Sequence, residues 1–399
     1  MDEKSAVKPT IFPSKVGEAP APKRVPRGVY PTHVKVRVLS RYDLKDVEIS
    51  SPLGKLKALK QGEPLQEAFW PPGTPLQLRA KESQLDVIVG NSIVTVDQVM
   101  VEAPVNSFLT VHMGGELQRR FAGRLSVRSS KGALSFIEEL PLEEYVQGVL
   151  EAEIPYGFPP EALKAQAVLI RTFALKNLDR HAKEGYHLCD LTHCQAYAGR
   201  EKNSRTFEEA VKATKSMTLA YVFKPVEALY HSTCGGHTSA FHRVFGGGKM
   251  IPYLMGVDDL NYCGKSPHQE WESSIPLKIM EEVLKKDLQT NPRGEIRNLK
   301  AVDREQNGRV FTLALEGKRN FDLSVTQFMS VIGRYLGWSK IKSNWFDAEV
   351  KDAEAHFKGR GLGHGVGMCQ WGARGMAEAG KKFDEILFHY FPTTNLIQK

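Results

Sequence analysis

The sequence predicts an α+β fold with a β-rich N-terminal part, a pair of helices and a mixed α/β remainder. Short apolar-polar runs such as HVKVRVLS and SIVTVDQV dominate residues 33 to 137, and this alternation is typical of strands. From Pro141 to about Glu184 the apolar period becomes helical, with a break at Pro159 and Pro160. Beyond these helices, strands and helices mix, and the chain closes with a Gly-rich loop and a helix.

Changes in composition divide the chain into three regions. Residues 1–31 are rich in proline and predict a flexible, extended arm. Residues 32–137 form the β-rich region and 138–399 the core that carries the site. Within that core, residues 275–350 mix helix (LKIMEEVLKKDL, VTQFMSVIGRYLG) with strand (RVFTLALEG), which suggests an inserted subdomain.

Composition narrows the class of protein. Of the 399 residues, 41% are hydrophobic and 25% are charged, which is typical of a globular protein. No apolar run approaches the roughly 18 residues that a membrane-spanning helix needs. A net charge of +8 favours a polyanionic partner such as a membrane surface, a nucleic acid or the cell wall. No arginine-rich block or RNA-binding aromatic signature accompanies that charge, so we expect no nucleic-acid partner.

The N-terminal stretch MDEKSAVKPT is acidic and polar. A secretory signal would show a positive segment followed by an apolar one. The sequence therefore predicts either retention in the cytoplasm or an export signal that has been removed.

Two glutamates, Glu151 and Glu153, end the first predicted helix. An α-helix advances about 100° per residue, which places Glu153 within about 20° of Leu142 and Glu151 about 180° away. The same apolar stripe holds Leu142, Tyr145, Val146, Val149 and Leu150. We therefore expect Glu153 on the buried face and Glu151 on the solvated face, with the helix ending before Pro155.

A carboxyl at the edge of an apolar face has a raised pKa, as a general acid near neutral pH requires. Glu153 fits that description, and it opens on the loop YGFPP. The alternative from the residues alone is a structural ion pair with Lys164 or Arg171. These two cations share a face of the second predicted helix, about two turns apart.

The segment YHLCDLTHCQ places His187, Cys189, His193 and Cys194 within eight positions. Imidazole and thiolate suit a tetrahedral zinc ion, although the spacing is not that of a standard zinc finger. His181 is a further candidate ligand. The alternative is a redox-active or disulfide-linked cysteine pair.

Two further motifs are rich in glycine. In YHSTCGGHTS, a thiol or hydroxyl nucleophile is one interpretation, and a tight loop with close backbone approach is the other. The segment GRGLGHGVGMCQWGARG matches neither a dinucleotide fingerprint nor a P-loop. Its glycines suggest a loop threaded close to a ligand or another backbone.

Long motifs of this sequence resemble the SpoIID family of sporulation protein D and amidase enhancers. They are, in order, FAGRLSVRSSKGALSFIEELPLEEY, EYVQGVLEAEIPYGFPPEALKAQAVLIRTFAL, QAYAG, YHSTCGGHTS, YLMGVDD and GRGLGHGVGMCQWGARGMAEAG. The resemblance covers roughly residues 33 to 399. The chain departs from the commoner family pattern at Leu362, where an aromatic is frequent, and at Cys369, where a small hydroxyl residue is frequent.

The resemblance implies a lytic transglycosylase that cuts peptidoglycan glycan, with Glu153 as its catalytic acid. It further implies a role in substrate binding for Lys164, Gln166, Arg171, Thr172, Gln195, Tyr197, His231, Ser232, Gly235, Gly236, His364, Gly365, Gln370 and Trp371. For Lys164 and Arg171, an exposed cationic face is the competing interpretation. Because some family members carry zinc at the matching Cys/His segment, a structural zinc at His187, Cys189, His193 and Cys194 is expected.

The family leaves two functional hypotheses. The first is cleavage of β-1,4 MurNAc–GlcNAc linkages, in glycan stripped of stem peptides, by a protein of the cell envelope. The second is a non-catalytic glycan-binding module that activates a partner cell-wall amidase. A zinc hydrolase is disfavoured because the sequence contains no HExxH motif.

Overall fold

The computed structural model describes residues 31–52, 54–59, 66–70, 73–104, 107–200, 204–248 and 250–398. Its mixture of helices and several sheets confirms the predicted α+β class and the β-rich N-terminal part. The predicted proline-rich arm lies outside the described residues. Among the helices that are described, none is both long and apolar enough to cross a membrane.

The N-terminal part consists of two sheets that face a common core; their strands pair antiparallel, except that one short strand from later in the chain pairs in parallel with the first strand. Its strands are β1 His33–Val38, β2 Asp46–Ser50, β3 Gly54–Leu59, β4 Gln66–Trp70, β5 Leu76–Ala80, β6 Leu85–Val89, β7 Ser92–Val96, β8 Gln98–Glu102, β9 Leu109–His112, β10 Gln118–Phe121, β11 Arg124–Ser130 and β12 Ala133–Pro141. A short strand, β13 Leu188–Cys189, joins the first sheet, whose order is β13-β1-β12-β11-β8-β3-β4. The second sheet has the order β10-β9-β2-β5-β6-β7. Alternation along β1, β11 and β12 buries every second side chain, as the sequence pattern predicts.

The predicted helical pair is confirmed as α1 Leu142–Glu153 and α2 Pro160–Lys176. The apolar stripe of α1 is buried, and the helix stops at Ile154 because Pro155 disfavours helical dihedrals there. Pro160 occupies the first turn of α2, where its missing N–H leaves no hydrogen bond unmade. Both helices pack in the same hydrophobic core as the N-terminal sheets, hereafter the main core. Glu153 is the last residue of α1 and lies next to the loop that joins the two helices.

The next segments wrap around α2. They are α3 Arg205–Ala213, β14 Met217–Tyr221, β15 Lys224–Pro225, β16 Tyr230–His231 and α4 Phe241–Phe245. The strands around a turn that the sequence predicts between residues 214 and 235 are confirmed by β14, β15 and β16. Near the C-terminus, β23 Met368–Cys369 pairs in parallel with β16.

A second hydrophobic core is built from residues between Trp271 and Phe357. The elements of this stretch are β17 Trp271–Pro276, α5 Leu277–Leu284, β18 Ile296–Arg304, β19 Val310–Gly317, β20 Phe321–Ser324, α6 Val325–Leu336, β21 Phe346–Lys351 and β22 Glu354–Gly359. Two small sheets, β17-β22-β21 and β18-β19-β20, contribute to it. Its extent is close to the stretch 275–350 that the sequence suggests as a subdomain.

The chain returns to the main core after β22. The Gly-rich segment leads through β23 into α7 Gln370–Glu378 and α8 Phe383–Tyr390, and β24 Asn395–Gln398 pairs with β14. Glycines let α7 pack closely, since a Cβ at Gly375 would lie 2.1 Å from the Tyr262 carbonyl oxygen. The β16–β23 pair therefore holds the YHSTCGGHTS and GRGLGHGVGMCQWGARG segments side by side.

Candidate functional site

Glu153 lies at the C-terminal end of α1 and is partly exposed. Its Oε1 accepts a hydrogen bond of 2.9 Å from the backbone N–H of Ala196. The hydroxyl of Tyr230, at the start of β16, donates a second hydrogen bond to the same carboxyl group. Two segments distant in sequence therefore hold this one side chain in place.

A chain of hydrogen bonds extends behind Glu153 into the protein. The buried hydroxyl of Tyr145 donates to Gln195 Oε1 at 3.1 Å, and Gln195 Nε2 donates to the Tyr230 hydroxyl at 3.1 Å. Since the Tyr230 oxygen accepts from Gln195, its proton is directed to Glu153. The chain orients the donor that contacts the carboxyl.

Burial raises the pKa of the Glu153 carboxyl above its ordinary value, because the charged form loses hydration. The hydrogen bonds from Ala196 and Tyr230 favour the charged form and oppose this rise. The carboxyl therefore keeps its proton to a higher pH than an ordinary glutamate does, and part of it stays open to solvent. Such a group can donate a proton and take it back.

The prediction that Glu151 is solvated is wrong, because only 2% of this residue is exposed. Gln147 Nε2 donates a hydrogen bond to its Oε1 at 3.0 Å, and Arg200 Nε lies 3.7 Å from that oxygen. The segment that follows Ala196 covers this face of α1, which periodicity within the helix alone does not reveal. Glu151 is a structural residue held by Gln147 and Arg200. What separates it from Glu153 is therefore this burial and pairing, and not exposure to solvent.

The structure does not bring Arg171 and Thr172 to the surface. Arg171 is 1% exposed, and its guanidinium binds Glu143 through two hydrogen bonds of 2.9 and 2.6 Å. It also donates to the Met217 carbonyl at 3.1 Å. Thr172 is fully buried, where its hydroxyl bridges Val168 within α2 and the backbone of β14. Both side chains join α2 to its neighbours instead of facing a cleft.

Lys164 and Gln166 have different surroundings. Lys164 forms a partly buried ion pair of 2.7 Å with Glu161 in the first turn of α2. Gln166 is buried, and neither polar atom of its amide has a hydrogen-bond partner among the described residues. A buried amide of this kind is a natural position for an ordered water or a ligand group.

Tyr197 lies behind the site and does not face solvent. Its hydroxyl donates to Glu138 Oε2 at 2.7 Å, and the Gly123 N–H donates to Glu138 Oε1. Burial raises the pKa of Glu138 to about 7. The Tyr197 ring packs directly on α1 at Gly148. Only glycine allows this contact, because a Cβ there would lie 2.4 Å from the ring. Tyr197 therefore fixes the QAYAG segment that supplies the Ala196 N–H.

Two histidines of the predicted site pack together. The rings of His231 and His364 are 5.4 Å apart between centroids. His364 Nδ1 accepts from the Val366 N–H at 3.1 Å, and its ring hydrogen-bonds the backbone of Tyr230. Burial lowers the pKa of His364 to about 4, so the ring is neutral at neutral pH. His364 thus supports the strand that carries Tyr230.

The glycines of both motifs permit close backbone approach, as the loop interpretation of the sequence expects. Gly235 has a φ of +84°, and a Cβ there would lie 2.9 Å from the Arg360 Cβ and 3.0 Å from the Trp345 ring. Gly365 has a φ of +76°, and a Cβ there would lie 2.5 Å from the Arg309 guanidinium carbon. Ser232 and Gly236 are partly buried in the same loop.

The C-terminal motif reaches the loop that follows Glu153. Trp371 is partly exposed, and its ring packs edge-on against the Phe158 ring with 5.6 Å between the ring centroids. The backbone N–H of Trp371 donates to the Ser232 carbonyl at 3.1 Å. Gln370 is buried, and its Nε2 has no partner among the described residues. Trp371 therefore connects the YGFPP loop with the YHSTCGGHTS loop.

Three of the four residues predicted to bind a metal lie together, and His181 takes the place of His187 as the fourth candidate. The side chains of His181, Cys189, His193 and Cys194, hereafter the His/Cys group, place their ligand atoms within 4.8 Å of one another. His187 is not a member, because its Nδ1 accepts the backbone N–H of Lys35 at 3.0 Å. The alternate ligand His181 replaces it, with its Nε2 3.5 Å from Cys194 Sγ.

The donor set of the His/Cys group fits zinc. Two thiols and two imidazoles are a common set for a structural zinc ion. Glu184 accepts from His181 Nδ1 at 2.7 Å and so orients the ring with Nε2 towards the sulfurs. Cys194 directly precedes Gln195 and Ala196, so a metal here would hold the segment that contacts Glu153.

Tyr145 and Tyr230 join the candidate site through contacts that the sequence does not predict. The apolar stripe of α1 predicts the burial of Tyr145, which is confirmed, but the pattern gives no sign of its hydrogen bond to Gln195. In the sequence, Tyr230 is only the first residue of the YHSTCGGHTS motif. The β16–β23 pairing brings it to Glu153, and no local pattern predicts that contact.

Comparison with known proteins identifies related sequences. The SpoIID family model, described as stage II sporulation protein, matches residues 130–221, and a domain of unknown function, DUF8618, matches residues 254–367. An uncharacterized protein from Brachyspira hyodysenteriae is 31% identical over 264 residues, which cover 65% of this chain and 68% of that protein. Stage II sporulation protein D from Bacillus subtilis is 30% identical over 295 residues, covering 69% of this chain and 80% of that protein.

An amidase enhancer from Bacillus subtilis is 28% identical over 290 residues. The matching region spans 63% of this chain but only 40% of the enhancer. The SpoIID match includes Glu153 and the His/Cys group, and the longer matches extend well beyond it. These similarities confirm the resemblance seen in the motifs, and the chain belongs to the SpoIID family.

Proposed function

We propose that this protein is a peptidoglycan lytic transglycosylase. It cleaves β-1,4 linkages between MurNAc and GlcNAc in glycan strands stripped of stem peptides and leaves 1,6-anhydroMurNAc ends. The observation that carries the proposal is Glu153, a partly exposed carboxyl whose pKa is raised by burial and whose position is set by Ala196 and Tyr230. Membership of the SpoIID family agrees with this chemistry.

The reaction needs one carboxyl group. Glu153 donates its proton to the glycosidic oxygen as the bond from that oxygen to C1 of MurNAc breaks, and positive charge develops on the sugar ring. The 6-hydroxyl of the same sugar then attacks C1, and its proton passes to the Glu153 carboxylate. The enzyme returns to its starting state without consuming water, so no second carboxylate is required, unlike in most glycoside hydrolases.

The hydrogen bonds to Glu153 suit both halves of this cycle. When the carboxyl is charged, after the first proton transfer, the Ala196 N–H and the Tyr230 hydroxyl stabilise it. When it is neutral, its burial favours the protonated form. The hydrogen bonds and the burial thus act in opposite directions on the pKa of Glu153.

The substrate-binding surface in this proposal lies beside the YGFPP loop. Trp371 offers an aromatic face for a pyranose ring, and Ser232 and Gly236 line the neighbouring loop. The unpartnered amides of Gln166 and Gln370 are candidates for sugar hydroxyls. The net charge of +8 favours attraction to an anionic cell wall, and the substrate places the protein in the cell envelope.

Zinc in the His/Cys group would act as a structural ion in this scheme. It would be held by two thiolates and two imidazoles and would brace the segment from Cys194 to Ala196. Every proton transfer in the reaction is assigned to Glu153.

A second candidate function rests on the amidase enhancer relative. In that case the protein would bind glycan without cutting it and would activate a partner cell-wall amidase. The raised pKa and partial exposure of Glu153 favour the enzyme, since a pure binding surface has no need of a tuned acid.

The direct test is to incubate the purified protein with denuded glycan strands and analyse the products by mass spectrometry. We expect peptide-free glycan fragments that end in 1,6-anhydroMurNAc. Each fragment should be lighter by one water than the corresponding fragment with a hydrolysed reducing end. Hydrolysed reducing ends would indicate a hydrolase instead. Intact strands that remain bound to the protein, together with stimulation of an added amidase, would favour the second candidate.

Replacing Tyr230 with Phe tests how the acid is tuned. The Tyr230 hydrogen bond favours the charged carboxyl, so its loss raises the pKa of Glu153 further. Because a general acid works in its protonated form, cleavage declines as pH rises through that pKa. We therefore expect the alkaline limb of kcat/KM to move to higher pH by about one unit in Tyr230→Phe. An unmoved limb would show that Tyr230 does not contact the reacting carboxyl.

A further inference from the structure

A second group of potential metal ligands lies in the main core, apart from the His/Cys group. It consists of Cys234, Asp259, Cys263 and Cys369, hereafter the Cys3Asp cluster. Their ligand atoms lie within 4.8 Å of one another, and all four residues are buried. We propose that the Cys3Asp cluster binds one zinc ion as a second structural centre of the protein.

The distances in the cluster suit a single ion. Cys234 Sγ and Cys263 Sγ are 3.6 Å apart. Two sulfurs bonded to one tetrahedral zinc at about 2.3 Å would lie about 3.8 Å apart. Polynuclear iron–sulfur clusters spread their cysteine sulfurs across the width of the cluster, so the compact set favours a mononuclear site.

The backbone around the cluster is arranged to receive thiolates. The N–H groups of Cys234 and Gly372 point to Cys369 Sγ at 3.2 and 3.3 Å, and the Gly236 N–H points to Cys234 Sγ at 3.4 Å. The Gly235 N–H forms a hydrogen bond with Cys263 Sγ. Backbone N–H donors to each sulfur are the outer contacts that orient and stabilise metal-bound thiolates.

Asp259 is fully buried, and its two oxygens accept from the Cys263 N–H at 2.7 Å and from the Tyr390 hydroxyl. Neither donor carries a positive charge. A buried carboxylate beside three thiols is costly without a cation, and a divalent ion would compensate that cost. The Arg309 guanidinium lies close by, where it donates to the Cys234 and His237 carbonyls and adds a single positive charge.

The backbone is also shaped for close approach at this point. A Cβ at Gly372 would lie 2.2 Å from Asp259 Oδ1 and 2.0 Å from the Tyr390 hydroxyl oxygen. The absence of a side chain therefore lets the first turn of α7 reach Asp259. Cys369, at the N-terminus of this helix, is brought into the cluster by the same approach.

The ion would join three segments distant in sequence. Cys234 follows β16, Cys263 lies in a short 3₁₀ helix at Tyr262–Lys265, and Cys369 directly precedes α7 as its N-cap residue. Ser232 and Trp371, which line the proposed glycan cleft, are each two residues from a ligand. The inference itself is independent of glycan cleavage, since it concerns only metal content.

The alternative arrangement is a disulfide between Cys234 and Cys263. In the structure all five cysteines are free thiols. A disulfide would use two of the three cysteines and would leave Cys369 and Asp259 without a shared partner. Convergence of four ligand atoms on one point is better explained by an ion. The two arrangements differ in metal content and in mass.

The decisive experiment measures the metal content of the full chain by elemental mass spectrometry. We expect two zinc ions per wild-type chain and one in each of Cys194→Ser and Cys369→Ser, because each variant removes a ligand from one group only. Wild-type protein with one zinc, all of it lost in Cys194→Ser, would overturn the proposal. Iron in place of the second zinc, or a Cys234–Cys263 crosslink in non-reduced peptide maps, would overturn it equally.

A second measurement starts from Cys194→Ser, which leaves the proposed site intact, and so does not depend on the folding of Cys369→Ser. Cys194→Ser loaded with cobalt should bind one ion and show a sulfur-to-cobalt charge-transfer band of three-thiolate intensity. Asp259→Cys in the same background should retain the ion and raise that intensity by about one third. Failure of Cys194→Ser to bind cobalt, or a spectrum without thiolate bands, would contradict the Cys3Asp site.

Discussion

Glu153→Gln should lose between about 100-fold and 10,000-fold of the glycan-cleaving rate, the range that a positioned general acid contributes. Gln has nearly the same size and can still accept the Ala196 N–H, but it cannot donate a proton to a glycosidic oxygen. The measurement is the initial rate of 1,6-anhydroMurNAc formation from denuded strands. Binding of the strands should persist, because the substitution leaves the cleft intact.

Glu151→Gln is the matched control, since it makes the same chemical change two residues away on the same helix. Glu151 is buried against Gln147 and Arg200, and Arg200 keeps its other partner Glu144 in this variant. We expect a cleavage rate within a few-fold of wild type and a modest loss of stability. Equal rates for Glu153→Gln and wild type would refute the assignment of the acid. Equal losses in both variants would indicate a structural effect.

Arg171→Met should destabilise the protein by about 3 kcal/mol, the order expected when one partner of a buried ion pair is removed. The substitution takes away both hydrogen bonds to Glu143 and the one to the Met217 carbonyl. Glu143 is itself 28% exposed, so water can hydrate part of the carboxylate that remains. The free energy of unfolding, measured by denaturant titration, checks the prediction.

Lys164→Met provides the comparison within the same helix. Lys164 forms a partly buried pair with Glu161 that water still reaches on both sides, so we expect Lys164→Met to cost about 1 kcal/mol, less than Arg171→Met. A change in KM for glycan with unchanged stability would support a substrate contact for Lys164. For Arg171→Met, unchanged stability together with a raised KM would contradict the structural role and favour the substrate-binding role that the family resemblance implies.

Much of the fold follows from local patterns. The alternation in β1, β11 and β12 predicts their buried faces, and the apolar stripe with Pro155 and Pro160 predicts both ends of the helical junction. These signals are local because the period of a strand or helix and the dihedral limits of proline act within a few residues. The catalytic candidate was accessible to sequence reasoning for the same reason.

The contacts of the site depend on distant parts of the chain. Glu151 is buried by a segment about 50 residues away, and no helical period can report that cover. His181 replaces His187 in the His/Cys group because pairing between β1 and β13 directs the His187 ring to the Lys35 backbone. The Cys3Asp cluster joins residues up to 135 positions apart, which explains why spacing along the sequence did not suggest it.

The hydrogen-bond chain from Tyr145 to Glu153 has a consequence for the order in which the protein becomes active. Its members come from α1, from the segment after the His/Cys group and from β16, and the Ala196 contact alone spans 43 positions. Before these segments meet, Glu153 is an ordinary exposed glutamate with an unshifted acidity. Competence for proton transfer should therefore arrive late in folding, so that a nascent or partly unfolded chain carries the proposed acid in an inert form.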